Sequence, residues 1–326
     1  MNILNQFIRR LFYLPPAYPQ TIQIGITNIC NFKCPMCQRF DLKVNLQHMD
    51  FDLFKKIIAR IDASQCSDLI LTGWGEPLCH PQFLDMVLLA KDKGFKIRFT
   101  SNGSLLDEHK INFLLEQNIE AVTFSIDELE SNDKTIGHKL AGQLANIKKL
   151  IQLRNQLGKQ TQIYFQTTYP QKGEDNILKI IDYAEKIGVD RVKISRLDIR
   201  FQQFARPSSQ EEKIFVKQLE NYTKNKRVQV DFLPYLAFNG FARQIYKKVY
   251  PWLHRRGKFC LRTLADLYIN VKGQATPCCA LPRCEIGDTL NKEINELWHS
   301  VDLKRFRINQ KKVCGACDIL EINYKG

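Results

Sequence analysis

From residue 21 to 196, short β-branched or aromatic runs alternate with longer stretches whose apolar residues recur at helical spacing. Strands are predicted at 21–27 (TIQIGIT), 68–72 (DLILT), 95–100 (FKIRFT), 120–126 (EAVTFSI), 161–168 (TQIYFQTT) and 190–195 (DRVKIS). Between the first two, Phe51, Phe54, Ile57, Ile58 and Ile61 fall on one helical face behind Asp50, a favourable N-cap. A helix over 81–93 is predicted from Pro81 at its start and Gly94 past its end. Others are predicted over 106–117, 138–157 and 174–187, the last stopped by Gly188. Six strand–helix units in succession predict an α/β fold with a parallel sheet and crossover helices. Either an open doubly wound sheet or an incomplete barrel fits, and in both the reactive rim lies at the carboxyl ends of the strands.

Beyond residue 196 the pattern weakens. Residues 209–223 read as a helix and 227–232 (RVQVDF) as a strand, followed by the irregular LPYLAFNGF. From Cys260 the composition changes: LADLYINVKGQATPC predicts a hairpin turning at Lys272–Gly273, then a helix at 292–299 and a cysteine-rich end. The predicted division is an N-terminal extension (1–20), a barrel domain (21–200), a connecting region (201–255) and a small Cys-rich α+β domain (256–326). Within the extension, 1–14 reads as a short amphipathic helix packed on the barrel, with contact to a membrane surface as the alternative.

Composition narrows the class. With 44% hydrophobic and 25% charged residues, the chain reads as globular. Its longest apolar run, FLDMVLLA at 83–90, is far below the roughly 20 residues needed to span a bilayer. Two arginines interrupt the apolar start FIRRLFYLPP, which argues against a secretory signal, so the expected location is the cytoplasm. There, eleven cysteines, an odd count, read as reduced and metal-directed. The net charge of +14 gathers at Arg9–Arg10, 224–227, 254–258 and Lys304, Arg305, Arg307, Lys311 and Lys312. An anionic substrate or an acidic partner fits that field, as does a solvated basic surface. No aromatics interleave with these bases as on a single-strand platform, and no nucleic acid is expected.

The stretch TNICNFKCPMCQRF sets Cys30, Cys34 and Cys37 at spacings of four and three. Pro35 and the position after a strand disfavour a helix face that merely buries thiols. A structural zinc site would want a fourth ligand in a second paired motif, and neither Cys66 nor Cys79 sits in one. A cuboidal iron–sulfur cluster held by three thiolates instead leaves its fourth iron open to another ligand.

This Cys-x3-Cys-x2-Cys loop, followed after the second strand by GWGEP (73–77), resembles the signature of the radical S-adenosylmethionine (SAM) enzymes. Trp74 stands where that family's Gly-Gly-Glu-Pro motif has a glycine. The resemblance covers roughly 21–200 and implies a partial (β/α)6 TIM-like barrel. It implies that Cys30, Cys34 and Cys37 ligate a [4Fe–4S] cluster whose open iron chelates the amine and carboxylate of SAM. Met36 would lie near the adenine, and Gly73, Gly75 and Glu76 would form the amine-binding loop. Asn102, Ser125 and Asp127 fall at rim positions that contact ribose or carboxylate in the family, although Asn102 is equally a turn residue and Asp127 a helix cap. The implied chemistry is reductive cleavage of SAM to a 5′-deoxyadenosyl radical that abstracts hydrogen from substrate. A reductase, flavodoxin or ferredoxin would supply the electron.

Cys260, Gly273, Cys278 and the CGAC pair Cys314 and Cys317 could by spacing make a four-thiolate zinc ribbon. Behind such a barrel they resemble the auxiliary-cluster domains called SPASM and Twitch. A complete SPASM domain carries seven cysteines and two clusters. Because no cysteine follows Cys317, the expectation is one auxiliary [4Fe–4S] cluster, fully ligated by Cys260, Cys278, Cys314 and Cys317. Cys279, adjacent to Cys278, would point to the opposite side of a strand and is set aside. Cys284 stays open as a replacement ligand, while Cys66 and Cys79 read as packing residues. A fully ligated cluster suits electron transfer, and so net oxidation of substrate.

Asp127 and Asp198 are candidate bases and Arg196 a candidate anion anchor, all from strand-end position, with a salt bridge as the alternative. The function expected is oxidative modification of a peptide side chain or of a small polar molecule, the basic charge leaning towards an anionic one. The twenty residues before the first strand leave no room for a winged-helix leader-binding module, which weakens the peptide reading without excluding it, since a separate recognition partner could supply that role. A non-oxidative radical enzyme such as a methylase, and a non-catalytic zinc-binding interaction module, are the alternatives.

Overall fold

Alternating burial builds the strands and a buried stripe builds the helices. The computed structural model describes residues 14–40, 42–130, 134–170, 172–196, 205, 207–232, 260 and 262–314. In chain order, β1 (Thr21–Ile24), α1 (Phe51–Arg60), β2 (Asp68–Leu71), α2 (Phe83–Asp92) and β3 (Lys96–Ser101) come first. Next are α3 (Glu108–Glu116), β4 (Ala121–Ser125), α4 (Lys134–Gln156), β5 (Gln162–Tyr169), α5 (Glu174–Ile187) and β6 (Arg191–Arg196). Then follow α6 (Ser209–Tyr222), β7 (Gln229–Phe232), β8 (Asp266–Ile269), β9 (Gln274–Thr276) and β10 (Gly287–Asp288). All six predicted strand–helix units form within a few residues of their expected limits.

Local chemistry sets those limits. The Asp50 carboxylate accepts from the Leu53 N–H and starts α1, which buries Phe54, Ile57 and Ile58. Gly188, at φ 86°, ends α5 in the left-handed region that favours glycine. Ser208 and Glu211 close a reciprocal capping box at the start of α6. The helix predicted from Pro81 begins later, at Phe83, because Pro77–Cys79 forms a separate 3-10 turn capped by Glu76.

Contacts divide the chain into two compact units, one built from the described residues of 1–99 and 245–316, the other from those of 100–244. In the first, the strand order is β10-β9-β8-β1-β2-β3. Here β1 runs parallel to both β2 (Thr21↔Asp68) and β8 (Thr21↔Asp266), while β9 and β10 are antiparallel additions. Its core holds Ile22, Ile24, Phe54, Leu69, Leu71 and Phe99, each nearly inaccessible. In the second unit β4-β5-β6-β7 are parallel, extending the predicted series to a further strand. There Tyr169 packs 4.7 Å from Phe215 and 5.6 Å from Phe232, ring centre to ring centre. Full burial of each such side chain contributes about 1.5–3 kcal/mol.

The described residues of the C-terminal segment group with the first unit. Besides the β8–β1 ladder, the Trp298 indole N–H donates to the Pro16 carbonyl at 2.8 Å, and Arg307 stacks 4.0 Å over the Trp298 ring. The predicted hairpin forms, with Gly273 at φ 79° in its turn. The amphipathic reading of 1–14 falls almost wholly outside the described residues. LPYLAFNGF, the 254–258 basic cluster, Asp198 and Cys317 lie outside them entirely.

Candidate active site

Because β1 and β2 are adjacent and parallel, the loops leaving their carboxyl ends are neighbours. Gly75 N–H donates to the Thr27 carbonyl (3.0 Å) and Glu76 N–H to the Ile29 carbonyl (2.9 Å), lacing GWGEP to the start of the cysteine loop. The approach is so close that a Cβ on Gly75 would come within 2.3 Å of the Ile29 oxygen. One on Gly73 would meet the Gly25 Cα at 2.8 Å. Glycine is therefore a steric condition of this lacing. Glu76 is buried, and one carboxylate oxygen accepts from the Leu78 N–H at 3.1 Å, which fixes its side chain.

The cysteine loop turns at Cys34–Cys37, where Cys37 N–H donates to the Cys34 carbonyl. Cys34 is exposed, while Cys30, Met36 and Cys37 are half-buried. Burial pushes the Cys30 thiol above its usual pKa, against a hydrogen bond from the Phe32 N–H, so iron must displace its proton. The clamp is Arg39, a residue absent from the sequence-based set. It is buried, and its guanidinium donates to the carbonyls of Asn28 (3.2 Å) and Phe32 (3.1 Å). Its one sequence signal is a charged residue two places after the third cysteine.

The donor set fits the expected cluster. Among the described residues, no three Cys, His, Asp or Glu side chains converge closely enough to share one metal ion. A cuboidal cluster makes no such demand, since each thiolate takes a different iron. Cys79 sits close enough to interact electrostatically with Cys30, and its thiol lies 3.9 Å from Asn31 Oδ1. Cys66, by contrast, is fully buried and its thiol is pushed up to about 12, as suits a packing residue.

The C-terminal cysteines lie in the same unit. Gln310 accepts from the Cys260 N–H (3.3 Å) and donates to Thr263 Oγ1 (2.8 Å), so the helix ending at Cys314 is tied to Cys260. Both cysteines are buried. The reason for setting Cys279 aside does not hold. β9 ends at Thr276 because Pro277 offers no N–H to the ladder, and Cys278 and Cys279 lie beyond the strand. The alternation of a strand therefore does not apply to this pair. The Trp74 indole N–H, from GWGEP, donates to the Cys279 carbonyl at 3.0 Å. Tyr268 on β8 is buried, with a hydroxyl that would lie 2.2 Å from a Cβ on Gly25. Nothing in its sequence context marks Tyr268.

A cavity of about 240 Å3 in this unit is lined by Lys43, Asn45, Trp74, Tyr268, Lys272 and Arg283, among others. Elsewhere several of the basic residues are already engaged. Lys226 pairs with Asp182 and Arg227 with Glu185, while Arg307 is buried over Trp298.

The remaining predicted site residues belong to the second unit. Asn102 Oδ1 accepts from the Ser104 N–H (3.0 Å) and hydroxyl (2.7 Å), the turn arrangement its sequence context allowed. Ser125 is exposed at the end of β4, and its carbonyl accepts from Gln143. Asp127 Oδ1 takes the Thr168 N–H (2.8 Å) and hydroxyl (2.7 Å), bracing the ends of β4 and β5. Burial raises its pKa against those two bonds. Arg196 is buried and donates from Nε to Glu212 at 2.7 Å, the salt-bridge alternative in a buried form.

Comparison with known proteins agrees with this geometry. The model of the radical SAM superfamily matches residues 24–197, and that of the SPASM iron–sulfur cluster-binding domain matches 260–318. The chain is 34% identical over 183 residues to the tungsten-containing aldehyde ferredoxin oxidoreductase cofactor-modifying protein of Pyrococcus furiosus. That match covers 54% of this chain and 51% of the relative, so it spans about half the relative's length. It is 20% identical over 325 residues to the PqqA peptide cyclase of Granulibacter bethesdensis, covering 94% of this chain and 82% of the other. Among solved structures, Streptococcus suis SuiB bound to S-adenosylmethionine superposes with a TM-score of 0.70 at 14% identity, covering 97% of this chain and 75% of SuiB.

Proposed function

The chain belongs to the radical SAM superfamily and carries a SPASM iron–sulfur segment, and on that premise we propose that it oxidatively modifies a peptide side chain or a small anionic molecule. Its cofactors are a [4Fe–4S] cluster with SAM and auxiliary iron–sulfur ligation, and its fold is the α/β partial barrel of that superfamily. When bound, cluster and SAM supply hydrogen-atom abstraction from substrate. The chain's own residues do the rest. Cys30, Cys34 and Cys37 would hold the cluster and Glu76 would receive the amine of SAM, while Arg39 clamps the cysteine loop and Gly75 lets GWGEP approach it.

The observation that carries the oxidative reading is the Trp74–Cys279 hydrogen bond. It ties the backbone at Cys279 to GWGEP within one compact unit, and an auxiliary cluster held near that turn would be well placed to accept the substrate's second electron. Support for a peptide comes from the name of the PqqA peptide cyclase and from SuiB, which is also known bound to its precursor peptide SuiA. Support for an anionic group comes from Lys43, Lys272 and Arg283 around the 240 Å3 cavity. An electron donor of the flavodoxin or ferredoxin kind is part of the proposal.

The deciding experiment incubates the anaerobically reconstituted protein with SAM, a reductant and candidate peptides or metabolites, followed by mass spectrometry. The expected result is 5′-deoxyadenosine together with a product two hydrogens lighter than its substrate. A product of unchanged mass, or one heavier by a methyl group, would remove the oxidative reading while leaving the radical one.

A further inference from the structure

Parallel strands are usually apolar on both faces, because packed layers cover both. In β5 and β6, the central strands of the second unit, only one face follows that rule. Burial alternates strictly along both, and the buried face presents Ile163, Phe165, Val192 and Ile194. The half-buried face presents Tyr164 and Gln166 on β5, with Arg191, Lys193 and Ser195 on β6. The register sets Tyr164 beside Arg191 and Gln166 beside Lys193, with Asp231 of β7 on the far side of Lys193. A wall of this composition suits a polar ligand or water, not a packed apolar layer.

The charges on the wall are sorted. Arg191 donates to the Asp231 carboxylate at 2.8 Å and to Gln229 Oε1 at 2.8 Å. At the rim, the Asp127 carboxylate is taken by Thr168. Lys193 is placed differently, with its ammonium 4.2 Å from the centre of the Tyr164 ring. A ring face steadies an ammonium as a point charge without using up its three N–H donors. Two residues on along the same face, about 7 Å away, the Ser195 hydroxyl accepts from Gln166 Nε2 at 2.9 Å. Because that bond fills an acceptor position, the hydroxyl keeps its own proton to donate. A steadied cation and an oriented O–H on one side of a sheet are the donor set of an anion subsite.

We propose that Lys193 and Ser195 hold an anionic oxygen group of the substrate, a carboxylate or a phosphate. Tyr164 is the positioning residue that keeps the ammonium in place. The proposal rests on the anionic-substrate part of the reading above and not on the oxidative outcome, so product mass is not among its readouts.

The test uses the reconstituted, SAM-bound protein, with succinate and inorganic phosphate titrated calorimetrically at an ionic strength held constant with chloride. The parent is expected to bind at least one probe, and the preferred probe identifies the group. Lys193→Met and Tyr164→Leu should weaken that binding at least about tenfold, roughly 1.4 kcal/mol. Lys193→Arg and Tyr164→Phe keep the charge and the ring face and should stay near the parent. SAM affinity, measured by equilibrium dialysis, should not change in Lys193→Met. A second measurement needs no variant: the bound anion should slow acetylation of Lys193 by acetic anhydride in the parent, but not that of the exposed Lys213 and Lys217 on α6. A parent that binds neither probe, parent-like affinity in Lys193→Met, or an acetylation rate indifferent to the anion would each overturn the subsite. Parent-like affinity in Tyr164→Leu would overturn the positioning role. Weaker SAM binding in Lys193→Met would assign the lysine to SAM and overturn the subsite as well.

Discussion

Gly75 carries the tightest steric condition in the candidate site. Gly75→Ala would drive a methyl group to 2.3 Å from the Ile29 oxygen, so GWGEP must lift away from the cysteine loop. The expected outcome is a SAM affinity weaker by at least about tenfold, a loss of roughly 1.4 kcal/mol, with the first cluster still loaded; equilibrium dialysis with labelled SAM measures it. Cys34→Ala, at the exposed thiol of the loop, should abolish 5′-deoxyadenosine formation and leave the auxiliary iron in place. Parent-rate formation in that variant would contradict the assignment at its root.

His80 offers a pH test at the same scale. It is buried, with Nδ1 accepting from the Gln82 N–H at 3.1 Å and Nε2 facing the Met49 carbonyl at 2.9 Å. Those partners fit the neutral ring carrying its proton on Nε2, and burial holds its pKa below the ordinary 6.5. The unfolded chain then binds the extra proton more readily, so stability is full above pH 6.5 and falls as pH drops through it towards the folded value. His80→Asn should flatten the fall in thermal midpoint between about pH 7.5 and 5.5 that this linkage gives the parent. The cysteines and glycines were legible in sequence because their spacing is their signal. Arg39, Trp74's bond and Tyr268 were not, because a clamp or a wedge is defined by what it touches.

At the scale of elements, periodicity was the dependable guide. α1 and α5 carry buried faces at helical spacing, and β5 alternates along its full length, so each was predictable from local pattern. The failures came where one residue's backbone chemistry outweighed the pattern. Pro77 and Glu76 form their own turn ahead of α2, and Pro277 ends β9 before the two cysteines. Arg196 illustrates a third kind: strand-end position placed it on the rim, but the cap at Ser208 brings α6 round so that Glu212 meets it. Arg196→Ala would strand a buried carboxylate and should destabilise the protein by about 3–5 kcal/mol. Arg196→Ala with Glu212→Leu should recover part of that loss in a thermal melt. If Arg196 instead anchors substrate, the double variant would regain stability but not turnover.

For the whole molecule, the decisive contact is β8 against β1. A segment that reads as an appended cysteine-rich domain is hydrogen-bonded into the sheet beside the strand that launches the cysteine loop. Removing residues from 260 onward would therefore expose the β1 edge and the Pro16 and Ala17 carbonyls that Trp298 and His299 now meet, and should yield insoluble protein. Cys260→Ala is the gentler cut. It should remove the auxiliary cluster while SAM cleavage continues, so that 5′-deoxyadenosine forms without a matching amount of product. Among the described residues no helix is long and apolar enough to cross a membrane.

The sequence by itself determined the chemistry and the series of elements. Cluster ligation and the glycine-lined SAM loop depend on residue type at short spacing, and amphipathic periodicity is equally local. Only the tertiary structure decided which carbonyl Trp74 would hold, that Cys278 and Cys279 would fall past the end of β9, and that Arg196 and Asp127 would be engaged by Glu212 and Thr168. Those outcomes join residues far apart in the chain or hang on a single dihedral beside a proline. Neither kind of information is carried by a local pattern of apolar and polar positions.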